Sequence, residues 1–563
     1  MNRLKKYASL LLALVMALAL AVPAMATEAS GPAPVTGPFE ITITNATTGH
    51  TYEAYQIFKG DLSATDQTAT DLTAPVLSNI EWGAGVNAEL ALAAAQKVLE
   101  DTTLATAAQV AEKLNDSNAA AFAQAMKDAL TTVNGTATAE SDTVKITATA
   151  GAGYYLIKDS KDSVTGDDSV TLFMLQVVGP TEVKAKAGTP TPDKKIVEGE
   201  NKVNTGDYDI GETITFELKA TLPVNYKNYK EYTLVFHDTM SDGLDYIGIS
   251  SVTVDGKVAT EGSYVVTPPT KTADGKNTEL TIRFDNLVAS YENLDAGDEI
   301  VIIYTAKLNA SAEIGNPGNP NTMHLEFSNN PNDEGKGETG ETPPKEVIVF
   351  TYELDADKVD GQDKTTALEG AEFVLKLKSV ENGENGESSE KVQYAVINAV
   401  TGKFIRWSDS RIDETNDARE TTKLVSKIDT ETGKAVFKVS GIDAGTYWLE
   451  ETKAPVGYNL PDPAETKITI TAKITDNNGV AGKEDALTYL NISVGEEVVN
   501  PEAPGNGVLA DGIVNTTIEN NKGATLPETG GIGTTIFYAL GGLLTVGAVV
   551  LLVTKKRMSA DEK

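Results

Sequence analysis

The stretch GTYWLEETKAPVGY, residues 445–458, begins with the alternation of a half-buried β-strand. Successive side chains on a strand point to opposite faces, so Tyr447, Leu449 and Glu451 share one face. That face is the apolar one and is predicted to face the core, which places Glu451 inside and Glu450 outside. Burial disfavours the charged form of a carboxyl group, so Glu451 is expected to stay protonated.

Short segments of this kind recur along most of the chain and predict a mainly β protein. Residues 213–220, 280–284 and 300–308 have the length and composition of strands, and turn dipeptides such as Asp255-Gly256 lie between them. Regular short strands separated by turns favour β-sandwiches. We therefore expect three tandem immunoglobulin-like β-sandwich domains.

An alanine-rich segment, residues 87–133, interrupts the strands of the first domain. Within it, Phe122, Met126 and Leu130 recur at every fourth position, as on one face of an amphipathic helix. The first domain is therefore predicted to contain an inserted helical region.

The N-terminus has the three parts of a secretory signal peptide. Three basic residues in the first six positions precede an apolar run at residues 10–22, and Ala24-Met25-Ala26 supplies the small residues of a signal peptidase site. We predict cleavage after Ala26 and export of the mature chain.

Near the C-terminus, a short motif is followed by an apolar run at residues 534–553 and by a basic tail at residues 555–557. The motif is Leu526, Pro527, Glu528, Thr529 and Gly530. About 20 apolar residues can span a bilayer as a helix, and basic residues behind them hold the tail on the cytoplasmic side. A plain membrane anchor is one interpretation.

The order of motif, apolar span and basic tail resembles the LPxTG cell-wall sorting signal of Gram-positive surface proteins. The resemblance implies that a sortase cleaves between Thr529 and Gly530 and transfers the Thr529 carbonyl to an amine.

Composition excludes several classes of function. The net charge is −34, which argues against nucleic-acid binding, because such binding needs a basic face. Cysteine is absent, so the chain has no disulfide, catalytic thiol or thiolate metal ligand. The three histidines, His50, His237 and His324, are spread over two segments. We therefore expect no catalytic triad, no metal site and no cofactor.

Segments rich in proline and glycine separate the predicted domains. Residues 179–192 (GPTEVKAKAGTPTP) predict one linker, and residues 329–344 (NNPNDEGKGETGETPP) predict a second. The predicted parts are a signal peptide (1–26), an N-terminal domain (27–188), a middle domain (189–343), a C-terminal domain (344–524) and the sorting signal (525–563).

Two segments of the C-terminal domain resemble the Cna-B-type repeat of Gram-positive adhesins and pilins. One is ELDADKVD at residues 353–360, followed by ALEGAEFVL at residues 367–375, and the other is the stretch at residues 445–458. In that family a lysine of the first strand, a glutamate and an asparagine of the last strand form an intramolecular isopeptide bond.

The resemblance assigns these roles to Lys358, Glu451 and Asn520. Ile518 and Asn520 share a strand face, and Asn521 is the alternative acceptor.

A parallel set resembles the middle domain of Gram-positive shaft pilins, whose isopeptide bond uses Lys, Asp and Asn. Lys194 lies at the start of the first strand, Asp238 lies within FHDTMSDGL, and Asn329 closes the last strand in LEFSNNP. The resemblance implies a bond from Lys194 to Asn329 with Asp238 as the acid.

Alternatives in the middle domain are Lys195, Asp242 and Asn330. Lys194 and Ile196 are two residues apart on one strand and share its inward face, so Lys195 would face outward. In the first domain, the strand GYYLIKDS at residues 153–160 lacks the expected glutamate, and we expect no isopeptide bond there.

The chemistry of such a bond requires burial. An amine attacks only when it is neutral, and apolar burial lowers the pKa of a lysine. The same burial keeps the acid protonated, so that it can donate to the amide and shuttle the proton. Ammonia leaves, and the bond forms once per molecule.

The amine that receives Thr529 is expected in the first linker. In shaft pilins it is a lysine just before the middle domain, and spacing to Pro190 and Lys194 favours Lys186, with Lys184 second. The tyrosine and proline of the usual acceptor motif are missing here.

These features predict a structural subunit of a covalent surface pilus and no enzyme. The implied partners are identical subunits, pilus-specific and housekeeping sortases, minor pilins, peptidoglycan and a host surface ligand. The alternative is a monomeric wall-anchored adhesin that binds a host matrix protein. Both place the chain outside the cell, anchored in the wall.

Overall fold

The computed structural model describes residues 38–62, 77–115, 118–160, 163–164, 168–185, 188–331, 339–382, 388–412, 419–475, 479, 487–495, 505–523 and 532–558. Its strands fall into three successive units, followed by one long apolar helix. The predicted mainly β class with several sheets is confirmed. The predicted signal peptide lies outside the described residues.

The first unit comprises two sheets and a helical segment. Its elements are β1 (Phe39–Thr44), β2 (Thr51–Leu62), β3 (Leu77–Trp82), α1 (Ala88–Val98), α2 (Ala107–Lys113), α3 (Ala119–Ala125), β4 (Gly135–Thr138), β5 (Thr143–Ala148), β6 (Gly153–Asp159), β7 (Leu172–Val177) and β8 (Thr181–Lys184). One sheet has the order β5-β1-β8, and the other has the order β3-β2-β6-β7 with β4 paired to β2.

The helical segment predicted at residues 87–133 is confirmed. The Asn87 side chain caps α1 by accepting two backbone amide hydrogen bonds, which satisfies donors that a helix leaves unpaired. Phe122 of α3 is buried and stacks on Phe58 of β2, with ring centroids 5.8 Å apart. The helices thus cover one face of the second sheet and bury its apolar side.

The middle unit is built from two larger sheets. Its elements are β9 (Thr191–Glu198), β10 (Asn201–Val203), β11 (Thr205–Asp207), β12 (Thr213–Thr221), β13 (Leu234–Met240), β14 (Leu244–Val254), β15 (Lys257–Val258), β16 (Val265–Thr267), β17 (Leu280–Phe284), α4 (Leu287–Ser290), β18 (Glu299–Leu308), β19 (Asn319–Ser328), β20 (Thr339–Glu341) and β21 (Lys345–Phe350). The orders are β10-β9-β12-β18-β14-β15 and β11-β21-β19-β13-β17-β16, with β20 paired to β19.

The C-terminal unit also has two sheets. Its strands are β22 (Tyr352–Asp360), β23 (Glu372–Asn382), β24 (Ser388–Asn398), β25 (Phe404–Ser408), β26 (Glu420–Thr421), β27 (Leu424–Val425), β28 (Lys427–Ile428), β29 (Ala435–Ile442), β30 (Gly445–Lys453), β31 (Glu465–Ile474), β32 (Leu487–Val494) and β33 (Ile513–Asn520). One sheet has the order β28-β29-β22-β33, and the other has the order β25-β24-β23-β30-β31-β32 with β26 and β27 at its side.

The start of the C-terminal unit differs from the predicted boundary at residue 344. β21 pairs with β19 and β11 and therefore belongs to the middle unit. β20, within the predicted second linker, also pairs with β19. Residues 347–350 are all apolar and lead through Thr351 directly into β22, so the sequence pattern does not mark the point at which the chain changes sheets. That point is Thr351, which is fully buried.

The middle and C-terminal units share a continuous apolar core. Polar contacts add to it, since the indole nitrogen of Trp407 donates to Asp209 at 2.7 Å and the amide of Ile210 donates to the carbonyl of Gly441 at 2.8 Å. The two units are therefore packed against each other rather than joined by a free linker.

The last described element is α5 (Ile532–Met558). Its segment Thr535–Arg557 is apolar and long enough to cross a membrane by length and composition. This confirms the C-terminal apolar helix expected from the sequence.

Candidate functional site

In the C-terminal unit, Lys358, Glu451 and Asn520 meet in the core. β22 and β33 run parallel, with Lys358 opposite Ile518, so Asn520 lies on the adjacent strand two residues farther along. Glu451 reaches them from β30 in the facing sheet. All three side chains are buried, with exposed fractions of 0, 2 and 1% respectively.

The distances place the carboxyl group of Glu451 between the two reacting groups. Its Oε2 lies 3.3 Å from Lys358 Nζ, and its Oε1 accepts a hydrogen bond from Asn520 Nδ2 at 2.8 Å. One carboxyl group can therefore take a proton from the attacking amine and pass it to the nitrogen that leaves as ammonia.

Burial sets the protonation states that this reaction needs. It lowers the pKa of Lys358, although the nearby Glu451 opposes the shift, and it raises the pKa of Glu451. The ring of Phe373 lies 5.6 Å from Lys358 Nζ and forms part of the apolar wall. Both pKa shifts move the pair toward a neutral amine beside a neutral acid.

The neighbouring alternatives point away from this site. Glu450 faces outward and pairs with Lys376 and Arg411, both at 2.6 Å. Asn521 is exposed, and its backbone carbonyl accepts from the amide of Asn459 at 3.0 Å. The strand parity read from the stretch at residues 445–458 thus matches the observed orientation of both glutamates.

A second buried lysine lies in the core of the middle unit. Lys194 of β9 donates a hydrogen bond to Asp238 of β13 across the two sheets. The hydroxyl of Tyr304 donates to the other oxygen of Asp238 at 3.0 Å. Asn321 of β19 completes the group, since its Nδ2 donates to the Tyr304 hydroxyl at 2.6 Å.

The predicted partner Asn329 is not in this group. β13 and β19 are antiparallel, with Asp238 opposite Met323 and Met240 opposite Asn321. Asn329 lies eight residues beyond Asn321 along the chain, about 26 Å away along an extended strand. Its carbonyl instead accepts from the amide of Val170 in the first unit, at 2.9 Å. The structure therefore does not bring Asn329 to Lys194 and Asp238, and it places Asn321 there instead.

The alternation of faces along a strand could not show which asparagine meets Lys194, because positions 321 and 329 fall on the same face. The sequence nevertheless contained one indication that favours Asn321. Asn321 shares the inward face of β19 with Met323, Leu325 and Phe327, and a polar residue on an apolar face marks a special position. Tyr304 was not predicted as part of the site, because the sequence indicated no partner for its hydroxyl group.

Electrostatics in the middle unit follow the same pattern as in the C-terminal unit. Burial lowers the pKa of Lys194 and raises the pKa of Asp238, while the attraction between the two opposes both shifts. The rings of Phe216 and Tyr304 lie 5.7 and 5.6 Å from Lys194 Nζ. In the described structure, no donor reaches Asn321 Oδ1.

The other middle-unit alternatives face elsewhere. Lys195 is half-buried and donates to Asn204 at 2.6 Å. Asp242 is exposed in a turn, where it accepts from the amide of Asn277 at 3.2 Å. Asn330 is buried beside Asn329 at the far end of β19, away from Asp238.

The residues predicted for sortase chemistry are only partly described. Lys184 is exposed at the end of β8, opposite Thr44 of β1. Lys186 lies outside the described residues, as does the motif from Leu526 to Gly530. Their roles remain predictions.

Comparison with known families matches three segments of the chain. Residues 210–331 match the family described as Gram-positive pilin backbone subunit 2, Cna-B-like domain. Residues 353–483 match a prealbumin-like fold domain, and residues 518–559 match the LPXTG cell wall anchor motif.

Similar proteins come from other Gram-positive surfaces. The trypsin-resistant surface T6 protein of Streptococcus pyogenes serotype M6 is 26% identical over 432 residues, which cover 67% of this chain and 71% of the relative. The fimbrial subunit type 2 of Actinomyces naeslundii is 25% identical over 388 residues, or 64% of this chain and 60% of the relative.

Solved structures similar to the chain include backbone pilins. The T6 backbone pilin of serotype M6 Streptococcus pyogenes aligns with a TM-score of 0.44 at 19% identity, over 87% of this chain and 99% of that one. The full-length major pilin SpaD from Corynebacterium diphtheriae aligns with a TM-score of 0.43 at 16% identity, over 86% and 98%. The matched segments and their order are those of an LPXTG-anchored backbone pilin of the Gram-positive cell wall, which is the family that the chain resembles.

Proposed function

We propose that this chain is the shaft subunit of a covalent pilus, joined head to tail by a sortase and stapled internally by two lysine–asparagine isopeptide bonds. The observation that carries the proposal is the pair of buried lysine–carboxylic acid–asparagine groups, one in each of two successive units. Each group joins the first strand of its unit to a strand near the end of that unit.

The C-terminal staple forms between Lys358 and Asn520. The neutral amine attacks the side-chain carbonyl carbon of Asn520, a C–N bond forms, and Glu451 moves one proton from the attacking nitrogen to the leaving nitrogen. Ammonia departs and Glu451 regains its starting state. The 3.3 and 2.8 Å separations on its two oxygens support this path.

The middle staple forms between Lys194 and Asn321, with Asp238 as the acid. Tyr304 positions the group, because its hydroxyl donates to Asp238 and accepts from Asn321. Each staple is a maturation step that occurs once, so the mature subunit is a structural protein.

The intermolecular bond uses the C-terminal motif. A pilus-specific sortase breaks the Thr529–Gly530 amide and joins the Thr529 carbonyl to Lys186, or to Lys184, in the linker before the middle unit of the next subunit. A housekeeping sortase joins the last subunit to peptidoglycan, and minor pilins occupy the remaining positions. The exposure of Lys184 on an edge strand supports this location for the acceptor.

The test is an immunoblot of wall extracts from cells that express the wild-type chain or the Lys184→Ala, Lys186→Ala double variant. We expect a ladder of high-mass species for wild type and its loss in the double variant. The matched control, Lys195→Ala, changes a half-buried lysine just inside β9 and should keep the ladder. A single band at monomer mass for wild type would instead favour the monomeric adhesin.

A further inference from the structure

Two of the three histidines lie side by side on the outer face of the middle unit. His237 of β13 is directly opposite His324 of β19, and their rings stack with centroids 4.7 Å apart and an interplanar angle of 5°. They are 87 residues apart in the chain, so their sequence positions do not indicate that they pair.

A carboxylate completes a cluster of three donors. Glu279 lies just before β17, and its Oε2 is 2.7 Å from His237 Nδ1. One ligand atom from each of His237, His324 and Glu279 lies within 4.8 Å of the others, and all three residues are half-buried. Two imidazoles and one carboxylate form a donor set typical of Zn²⁺, which binds such atoms at about 2.0–2.2 Å.

A second carboxylate fixes the orientation of the first ligand. Glu326 Oε2 lies 3.0 Å from His237 Nε2. When Nε2–H donates to this carboxylate, the lone pair of Nδ1 is free on the side of Glu279. A carboxylate behind a histidine ligand holds the ring and its tautomer in this way in many metal sites. Glu341 Oε2, 3.8 Å from His324 Nε2, stands in a similar position.

We propose that His237, His324 and Glu279 bind one Zn²⁺ ion on the outer face of the middle unit, with water as the fourth ligand. The three ligands come from β13, from β19 and from the residue that precedes β17, which are neighbours in one sheet. His237 and Asp238 are adjacent in sequence and face opposite sides of that sheet. Zinc would thus tie β19 to its neighbours β13 and β17 on the outer face, whereas the Lys194–Asn321 bond would tie β19 to β9 of the facing sheet.

The test is a calorimetric titration of the full chain, purified free of metal, with Zn²⁺ in the presence of excess Mg²⁺. We expect one equivalent to bind with micromolar affinity, because Mg²⁺ does not compete for imidazole ligands. His324→Gln and Glu279→Gln should each weaken binding at least tenfold. Glu292→Gln, which removes an exposed carboxylate of the same unit, should leave binding unchanged.

Two further measurements distinguish the loss of a zinc site from misfolding of the middle unit. The intact mass of His324→Gln should still show the loss of ammonia from the middle unit, which shows that the unit folds. Substitution with Co²⁺ should give the visible absorption of a four-coordinate site in wild type only. Absence of a stoichiometric Zn²⁺ site in wild type, or wild-type affinity in His324→Gln, would overturn the proposal.

Discussion

Two lysines of this protein lie where the fold removes the water around their amines. Among the described residues, Lys194 and Lys358 are the lysines with buried side chains. Burial lowers the pKa of each amine and raises the pKa of the acid beside it, Asp238 or Glu451. The proposed attack on an asparagine side chain therefore depends on the buried site, because exposed lysines nearby lack both the apolar surroundings and the neighbouring acid.

The reassignment of the middle acceptor gives a prediction at this scale. Asn321→Ala should abolish the middle bond, so the intact chain should lose one ammonia instead of two. Asn329→Ala, at the other end of the same strand face, should still lose two. Mass spectrometry of the intact purified chains distinguishes these outcomes. Loss of one ammonia in Asn329→Ala, with two in Asn321→Ala, would restore the acceptor predicted from the sequence.

At the scale of elements, the two proposed staples would join strands that are neighbours in one sheet or that face each other across a sandwich. β22 and β33 pair side by side in parallel, whereas β9 and β19 belong to the two facing sheets of the middle unit. The C-terminal staple would therefore join a parallel pair of strands, and the middle staple would join the two sheets of a sandwich. The same proposed chemistry would serve both geometries.

The contact between the middle and C-terminal units should depend on pH. Burial raises the pKa of Asp209 to about 6 and, together with repulsion from Asp209, raises that of Asp443 to about 7. An acid with a raised pKa in the folded state contributes stability that is full below its unfolded value, near 4. That contribution is lost as pH rises through the folded pKa values. The contact should thus weaken between about pH 4 and pH 7.

Limited proteolysis of the full chain and its thermal unfolding at pH 5 and pH 8 measure this dependence. We expect greater resistance and a higher melting temperature at pH 5. The double variant Asp209→Asn, Asp443→Asn should reduce the difference, while Asp274→Asn, in an exposed turn, should preserve it. Equal pH dependence in the double variant and wild type would contradict the assignment.

The sequence predicted the positions of helices and strands better than it predicted which residues of different strands meet. The parity of Glu451 and the every-fourth-residue pattern at Phe122 are local, and both agree with the structure. Which residues meet across a sandwich depends on register, which parity does not fix, and so Asn329 was chosen in place of Asn321. The sequence did not indicate the change of sheet at Thr351, because an apolar run, residues 347–350, leads directly into the next strand.

At the scale of the molecule, the proposed bonds define a path for mechanical load. Load entering at the linker lysine passes from Lys194 through the staple to Asn321, then along the chain to Lys358, and through the second staple to Asn520. The intervening chain folds as β19 to β22 and is the part that can extend. The first unit, residues 38–185 as described, lies outside this path and can unfold without lengthening the pilus.

Single-molecule pulling on the mature chain tests this path most directly. Because the chain has no cysteine, Lys186→Cys and Thr529→Cys give two specific handles. We predict for the stapled chain that extension beyond the terminal linkers is limited to residues 321–358, at most about 130 Å of contour. A Glu451→Gln chain, whose C-terminal staple cannot form, should release about 550 Å more as residues 358–520 unfold. Equal extension of the stapled and Glu451→Gln chains would contradict the account.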